Sequence, residues 1–256
     1  SYGNFSIDTT IANSAPTFTA FINTTDVRKN DSTTNLTTKW VNPNDDNGNN
    51  TIFNLTSNWF INNQSLIKLN LPFEVNTSNQ VLDISGYNNN GTYGLGSPLC
   101  GPSYGRYGNG CNFTGTDRIN VTHTQNLNLT KEFTIEAWVN RHSGTSSGIM
   151  VKGNAGGGES FIINLANSAL KFTVYNTSNN AEAAISDPAT LTLNSWQYLA
   201  VTAKVNSAGA LDIYLYRNGT NVASAFNAIE GFVLDQNNNP ITIGCDSRSD
   251  CSNGVG

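Results

Sequence analysis

Two glutamates four residues apart, Glu132 and Glu136 in KEFTIEAWVN, are the acidic pair whose spacing comes nearest to acid–base chemistry. A glycoside-cleaving pair needs carboxyl groups roughly 5 to 9 Å apart, one on each side of the scissile bond. On a strand, residues i and i+4 share a face, but at about 3.3 Å of rise per residue they stand about 13 Å apart. Glu136 therefore reads as a solvent-facing strand residue, and the chain is expected not to be an enzyme. His123 and His142 fall in different segments, with no serine or cysteine in a nucleophile context beside them. They read as isolated surface histidines. The glycine-rich GNAGGGES at 153–160 lacks the Lys-Ser/Thr pair and following helix of a phosphate cradle, so a hairpin loop is expected there. Asp187, Asp235, Asp246 and Asp250 read as scattered loop acids.

The cysteines offer different chemistry. Cys100 with Cys111 and Cys245 with Cys251 form two close pairs. Four cysteines allow three connectivities, but each local pairing closes a short glycine-rich loop, so two local disulfides are expected. Zinc ligation fits poorly, because no histidine lies near either pair. Disulfides imply export, as does the density of Asn-x-Ser/Thr sequons at Asn4, Asn23, Asn30, Asn35, Asn49, Asn54, Asn63, Asn76, Asn90, Asn112, Asn120, Asn128, Asn176 and Asn218. N-linked glycans on an extracellular or cell-surface protein are the functional reading. An asparagine-rich solvated surface is the bland one.

The elements that must carry these groups are strands. Only 12% of the 256 residues are charged, and Asn, Thr, Ser and Gly separate short apolar runs. From Phe133 to Val139 the alternation is strict, with Phe133, Ile135, Ala137 and Val139 on one face and Thr134, Glu136 and Trp138 on the other; this reads as a central strand of a sandwich. The net charge of −5 with scattered Lys and Arg excludes a phosphate-binding face, so no nucleic-acid partner is expected. No apolar run approaches the roughly 20 residues that span a bilayer, so no membrane insertion is expected either. The opening SYGNFSIDTT lacks signal-peptide order, and the chain reads as a mature or excised piece of an exported protein.

Three regions follow. Residues 1–15 are an N-terminal arm whose Tyr2, Phe5, Ile7 and Ile11 need a host sheet. Residues 16–72 read as a partial immunoglobulin-like module, with strands at 17–22, 34–41, 52–61 and 65–71. Residues 73–256 read as a larger all-β sandwich, with strands near 79–84, 91–95, 110–114, 118–122, 133–141, 148–152, 159–165, 169–175, 182–186, 196–204, 210–217, 220–225 and 241–245.

DISGYNNNGT at 83–92, CNFTGTDRINV at 111–121, FTIEAWVN at 133–140, IMVKG at 149–153, LNSWQYLAVT at 193–202, LDIYLYRNGTNVAS at 211–224 and ITIGCD at 241–246 together resemble a laminin-G-like, concanavalin-A-like jelly roll. The resemblance implies a large antiparallel sandwich, an extracellular setting and glycan or protein ligands. It also implies a structural calcium ion at Asp83, with Asp117 as a further contributor, although D-x-S-G-x-x-N is equally an Asx-type turn. The E-x-D-x-E strand of the fold's glucanases is missing. So is the family's closing strand, of the type F-x-G-x-I-D-E-V-x-I-Y, which Tyr2, Phe5, Ile7 and Asp8 resemble in part. From this comes the expectation of a non-enzymatic structural or adhesive surface subunit, self-associating by strand donation from the arm. The alternative is a carbohydrate-binding lectin module, for which Tyr87, Tyr93, Tyr104 and Tyr107 are candidate sugar-stacking residues; packing on their own turns explains them equally.

Overall fold

The computed structural model describes residues 5–6, 17–24, 36–44, 56–57, 60–61, 64–74, 79–94, 96–129, 131–153, 158–176, 182–226 and 237–245. The chain divides into two compact units, 1–67 and 68–256.

In the first unit three strand pairs are described. β1 (Phe5–Ser6) pairs with β4 (Thr56–Ser57), β2 (Thr17–Thr24) with β3 (Leu36–Asn44), and β5 (Phe60–Ile61) with β6 (Gln64–Ser65), all antiparallel. Phe5 thus lies in register with Ser57 of its own chain. Tyr2, Ile7, Asp8 and Ile11 lie outside the described residues.

The second unit is a two-sheet sandwich. Its strands are β7 (Gln80–Val81), β8 (Gly91–Tyr93), β9 (Leu99–Gly101), β10 (Gly110–Asn112), β11 (Ile119–Val121), β12 (Glu132–Asn140), β13 (Ser147–Lys152), β14 (Phe161–Ala166), β15 (Ala169–Tyr175), β16 (Glu182–Thr190), β17 (Trp196–Val205), β18 (Leu211–Arg217), β19 (Thr220–Ala225) and β20 (Ile241–Ile243). One sheet has the order β16-β15-β14-β13-β20-β11-β8-β7 and the other β12-β17-β18-β19, with β9 and β10 a separate hairpin. The all-β, antiparallel class expected from the sequence is the observed one, and every strand expected in this region has a counterpart. Only β9 goes unforeseen, a three-residue strand opening on a lone apolar residue and a cysteine.

Alternation explains how the sheets meet. Phe161, Ile163 and Leu165 of β14, Leu170, Phe172 and Val174 of β15, Leu199, Val201 and Ala203 of β17, and Leu211, Ile213 and Leu215 of β18 are all buried in one cluster. Phe133, Ile135 and Val139 pack on its flank, while Thr134, Glu136 and Trp138 are exposed, as the period-2 pattern requires. The expected central position of β12 is corrected: among the described residues it lies at the edge of the four-stranded sheet. A period of two encodes which face is buried and says nothing about neighbours. Pro188 lies in β16, an edge strand, where its missing N–H costs no ladder bond.

A second apolar cluster joins Val121, Leu127 and Ile241 to Leu69 and Leu71. With the Asn70 N–H donating to Asp83 Oδ1 at 2.8 Å, this places residues 68–71 in the second unit, although the sequence placed that boundary at 72/73.

Candidate functional site

The outward face of the four-stranded sheet gathers aromatic side chains. Trp138 on β12 stands directly opposite Tyr198 on β17, with ring centroids 5.3 Å apart and planes tilted by 50°. Trp196, two residues before Tyr198 and so on the same face, is opposite Asn140. Tyr107 meets Trp138 edge-on, centroids 5.7 Å apart, and the Arg106 guanidinium lies 5.1 Å from the Tyr107 ring centre and 5.6 Å from that of Trp138. Trp138 is 41% exposed and Tyr107 62%. Arg106, Trp138, Trp196, Tyr198 and Asn218 line an open cleft of about 670 Å³.

Local structure accounts for each contributor. Arg106 and Tyr107 ride on a loop whose base is tied by the Cys100–Cys111 disulfide between paired residues of β9 and β10. The loop is held further by the Glu74 carboxylate, which accepts the Asn109 N–H at 2.9 Å. Gly108 has φ +70°, a left-handed conformation that glycine adopts without strain, and a Cβ there would displace that carboxylate. Asn218 and Gly219 form the β18–β19 turn at φ +51° and +79°, the left-handed pair of a two-residue hairpin. The Asn218 Oδ1 accepts the Tyr198 N–H at 2.9 Å, and its own N–H donates to Tyr198 O at 2.8 Å. Burial, then a hydrogen bond to the Glu136 carboxylate and its charge, push the Tyr198 hydroxyl well above the ordinary tyrosine range. Tyr198 therefore remains a neutral donor, oriented by Glu136 across the strand diagonal. Glu132 is occupied elsewhere, 2.9 Å from Lys204 in an exposed ion pair.

A second, polar cleft of about 880 Å³ lies along β11 and β20, lined by Arg118, Asn120, His123, Thr124, Asn238 and Thr242 among others. Beside it Lys152, fully buried at the end of β13, donates to Asn237 O and Asn239 O at 2.9 Å each and lies 3.2 Å from His123 Nδ1. The Asn237 and Asn239 Nδ2 groups both donate to Gly158 O, and Asn237 Nδ2 also to Ser160 Oγ. The lysine thereby clamps the 237–240 segment to the sheet.

His123 gives a pH prediction. Burial first and the Lys152 charge second lower its pKa, so the fold holds it neutral, with Nδ1 facing the ammonium. The unfolded chain takes up a proton below the ordinary value of about 6.5. This contribution to stability is complete above that pH and is lost as pH falls below it. Melting temperature is expected to drop more steeply between pH 6.5 and 5 in the native chain than in His123→Gln; parallel curves would contradict the assignment.

Asp83 is buried, and its carboxylate accepts four donors: Asn70 N–H, Ser85 N–H, Ser85 Oγ–H and Asn89 N–H, at 2.6 to 2.9 Å. Those bonds occupy the roughly four acceptor sites a carboxylate has. Asp117 is likewise engaged, its Oδ2 accepting from the N–H and Oγ of Thr114. The geometry is that of turn networks and does not fit a cation held by Asp83 and Asp117. Among the described residues no three His, Cys, Asp or Glu converge on a metal position.

Cys245 is buried and disulfide-bonded; Cys251, its expected partner, lies outside the described residues. His142 is exposed and 3.1 Å from Asn194 Oδ1. Of the four tyrosines singled out in the sequence, Tyr107 reaches the aromatic cleft, while Tyr87 takes a hydrogen bond and a cation–π contact from Lys68. Trp138, Trp196, Tyr198 and Arg106 were not singled out. The signal was present: FTIEAWV sets a tryptophan on the polar face of an alternating strand, and WQY repeats the arrangement at the same parity.

With the sandwich and its aromatic face described, comparison with known proteins places the fold. Residues 113–254 match the laminin-G-type family of the concanavalin A-like lectin/glucanases superfamily. The chain belongs to that superfamily. Among solved structures, the superfamily domain is similar to the binding domain of Paraclostridial Mosquitocidal Protein 1, with TM-score 0.53 and 18% identity over 70% of this chain and 44% of that one. The binding domain of botulinum neurotoxin serotype G gives TM-score 0.48 and 16% identity over 67% and 42%, and the receptor binding domain of botulinum neurotoxin D 0.46 and 17% over 66% and 42%. The chain spans less than half of each of these structures, and at such identities the likeness is one of fold. No curated protein matches the sequence. No helix among the described residues is long and apolar enough to cross a membrane.

Proposed function

We propose that this is a non-enzymatic, extracellular glycan-binding module whose sugar platform is the cleft of Trp138, Trp196, Tyr198, Arg106 and Asn218. One observation carries the reading: two tryptophans and a tyrosine share the outward face of the sheet beside a guanidinium and an amide. A pyranose is amphipathic, with an apolar C–H face and a rim of hydroxyls. Exposed rings answer the first, and Arg106 and Asn218 answer the second. Superfamily membership and a fold shared with a toxin's binding domain support the reading, but fold alone assigns no ligand. Titration of the full chain with an oligosaccharide panel, followed by tryptophan fluorescence, tests it. Saturable binding lost in Trp138→Ala supports the cleft, and binding unaffected by that change removes it.

A second reading, a self-associating surface subunit joined by strand addition, has the outer edge of β12 in its favour, because no described strand pairs there. An unpaired edge is a template for a further strand. Against the arm as donor, Phe5–Ser6 already pairs with Thr56–Ser57. If the arm donates, deleting residues 1–12 will dissolve concentration-dependent association in analytical ultracentrifugation; an unchanged sedimentation profile rejects it.

A further inference from the structure

Asn218 is both a wall of the aromatic cleft and the acceptor of an Asn-Gly-Thr sequon ending at Thr220. Its surroundings set it apart from three other described sequons, at Asn90, Asn120 and Asn128. Asn120 lies in the middle of β11 with β8 and β20 paired on either side, and its Oδ1 faces Thr242 Oγ. Asn90 is only half-exposed, and the Asn128 Oδ1 is buried. Asn218 is exposed at a hairpin tip, and the bond from Tyr198 N–H to its Oδ1 fixes the orientation of the amide. Its Nδ2, the atom that glycosylation modifies, donates to none of the described residues, and the residue lines the cleft.

We infer that Asn218 carries an N-linked glycan whose innermost sugars lie on Trp138 and Trp196, so that the chain's own glycan caps the cleft. The inference rests on the glycan-binding reading of that cleft and adds its regulation. In the modification, Asn218 Nδ2 attacks C1 of the first sugar of a polyprenyl-pyrophosphate-linked oligosaccharide. The C1–N bond forms, the C1–O bond to the pyrophosphate breaks, the lipid pyrophosphate leaves with the electron pair, and Nδ2 gives one proton to the transferase. A tethered sugar competes at an effective concentration of about 1–10 mM. Single sugar subsites of millimolar affinity are then capped for much of the time, which lowers the apparent affinity for free ligand by roughly threefold to tenfold.

The test uses the full chain secreted from a glycosylating host, with Thr220→Ala, which removes the sequon but keeps Asn218 and its bond to Tyr198, and Thr220→Ser, which keeps both. Peptide mass spectrometry reads occupancy at Asn218. Acrylamide quenching, taken as the difference from Trp138→Phe in each background, reads the exposure of Trp138. Titration with the oligosaccharide released from the protein itself reads binding. Expected are an occupied Asn218 in the native and Thr220→Ser proteins, and in Thr220→Ala stronger quenching of Trp138 with an affinity at least threefold higher. An unmodified Asn218, or an occupied one whose removal leaves Trp138 quenching unchanged, overturns the cap. If quenching rises in Thr220→Ala but the released oligosaccharide binds neither form, the cap stands and the glycan-binding reading fails.

Discussion

Trp138→Ala is expected to lower oligosaccharide affinity at least about thirtyfold while costing about 1–3 kcal/mol of stability, or roughly 2–12 °C in melting temperature. Buried anchor tryptophans at recognition sites contribute roughly 2 kcal/mol or more when truncated, and about 1.4 kcal/mol is a factor of ten. The stability cost stays below that of a core tryptophan because Trp138 lies on the outward face of β12, while Phe133, Ile135 and Val139 on its other face pack with the core. What the fold loses is an edge contact with Tyr107 and a tilted one with Tyr198, each worth about 0.5–1.5 kcal/mol. At about 2–4 °C per kcal/mol for a unit of this size, the two contacts together correspond to a shift of about 2–12 °C. Trp138→Phe, which keeps a ring over the same spot, is expected to lose less affinity than alanine. Equal losses would mean that the indole acts through its N–H and not as a stacking face.

Lys152→Met is expected to destabilise the protein by about 3 kcal/mol and to lower its melting temperature by roughly 6–12 °C. Two effects compete. Removing a fully buried ammonium relieves a desolvation penalty, and for that reason apolar replacement of complete ion pairs is often tolerated. Here only one partner is replaced. The carbonyls of Asn237 and Asn239, each 2.9 Å from Nζ, are left without their donor at roughly 1–3 kcal/mol apiece, so the loss dominates. Differential scanning calorimetry decides. A variant melting at or above the native temperature would show that the clamp contributes less than the relief of burying the charge. The same change removes the second of the two causes depressing His123, so its titration should move back toward the ordinary value.

The clamp shows where sequence reading stops. IMVKG is legible as a strand ending in lysine, and a terminal lysine is by default solvated. Its partners lie about eighty-five residues later in an asparagine tract, and only the pairing of β13 with β20 brings them together. Asp83 is the converse case. The motif D-x-S-G-x-x-N was readable both as a calcium loop and as a turn, and the choice depended on which N–H groups point at the carboxylate. One of those, from Asn70, comes from outside the motif.

What the sequence determined by itself was local and periodic: the all-β class, the positions of nearly all strands in the second unit, the buried face of β12 and the Cys100–Cys111 pairing. Each follows from neighbours within a few residues, because side-chain alternation and short-loop closure are properties of the chain before it folds. What only the tertiary structure decided was adjacency. The order of the sheets, the edge position of β12, and the meeting of Arg106, Trp138, Trp196 and Asn218 from four separate segments depend on which strands pair, and pairing is set by burial of the whole core, to which no single segment's pattern refers.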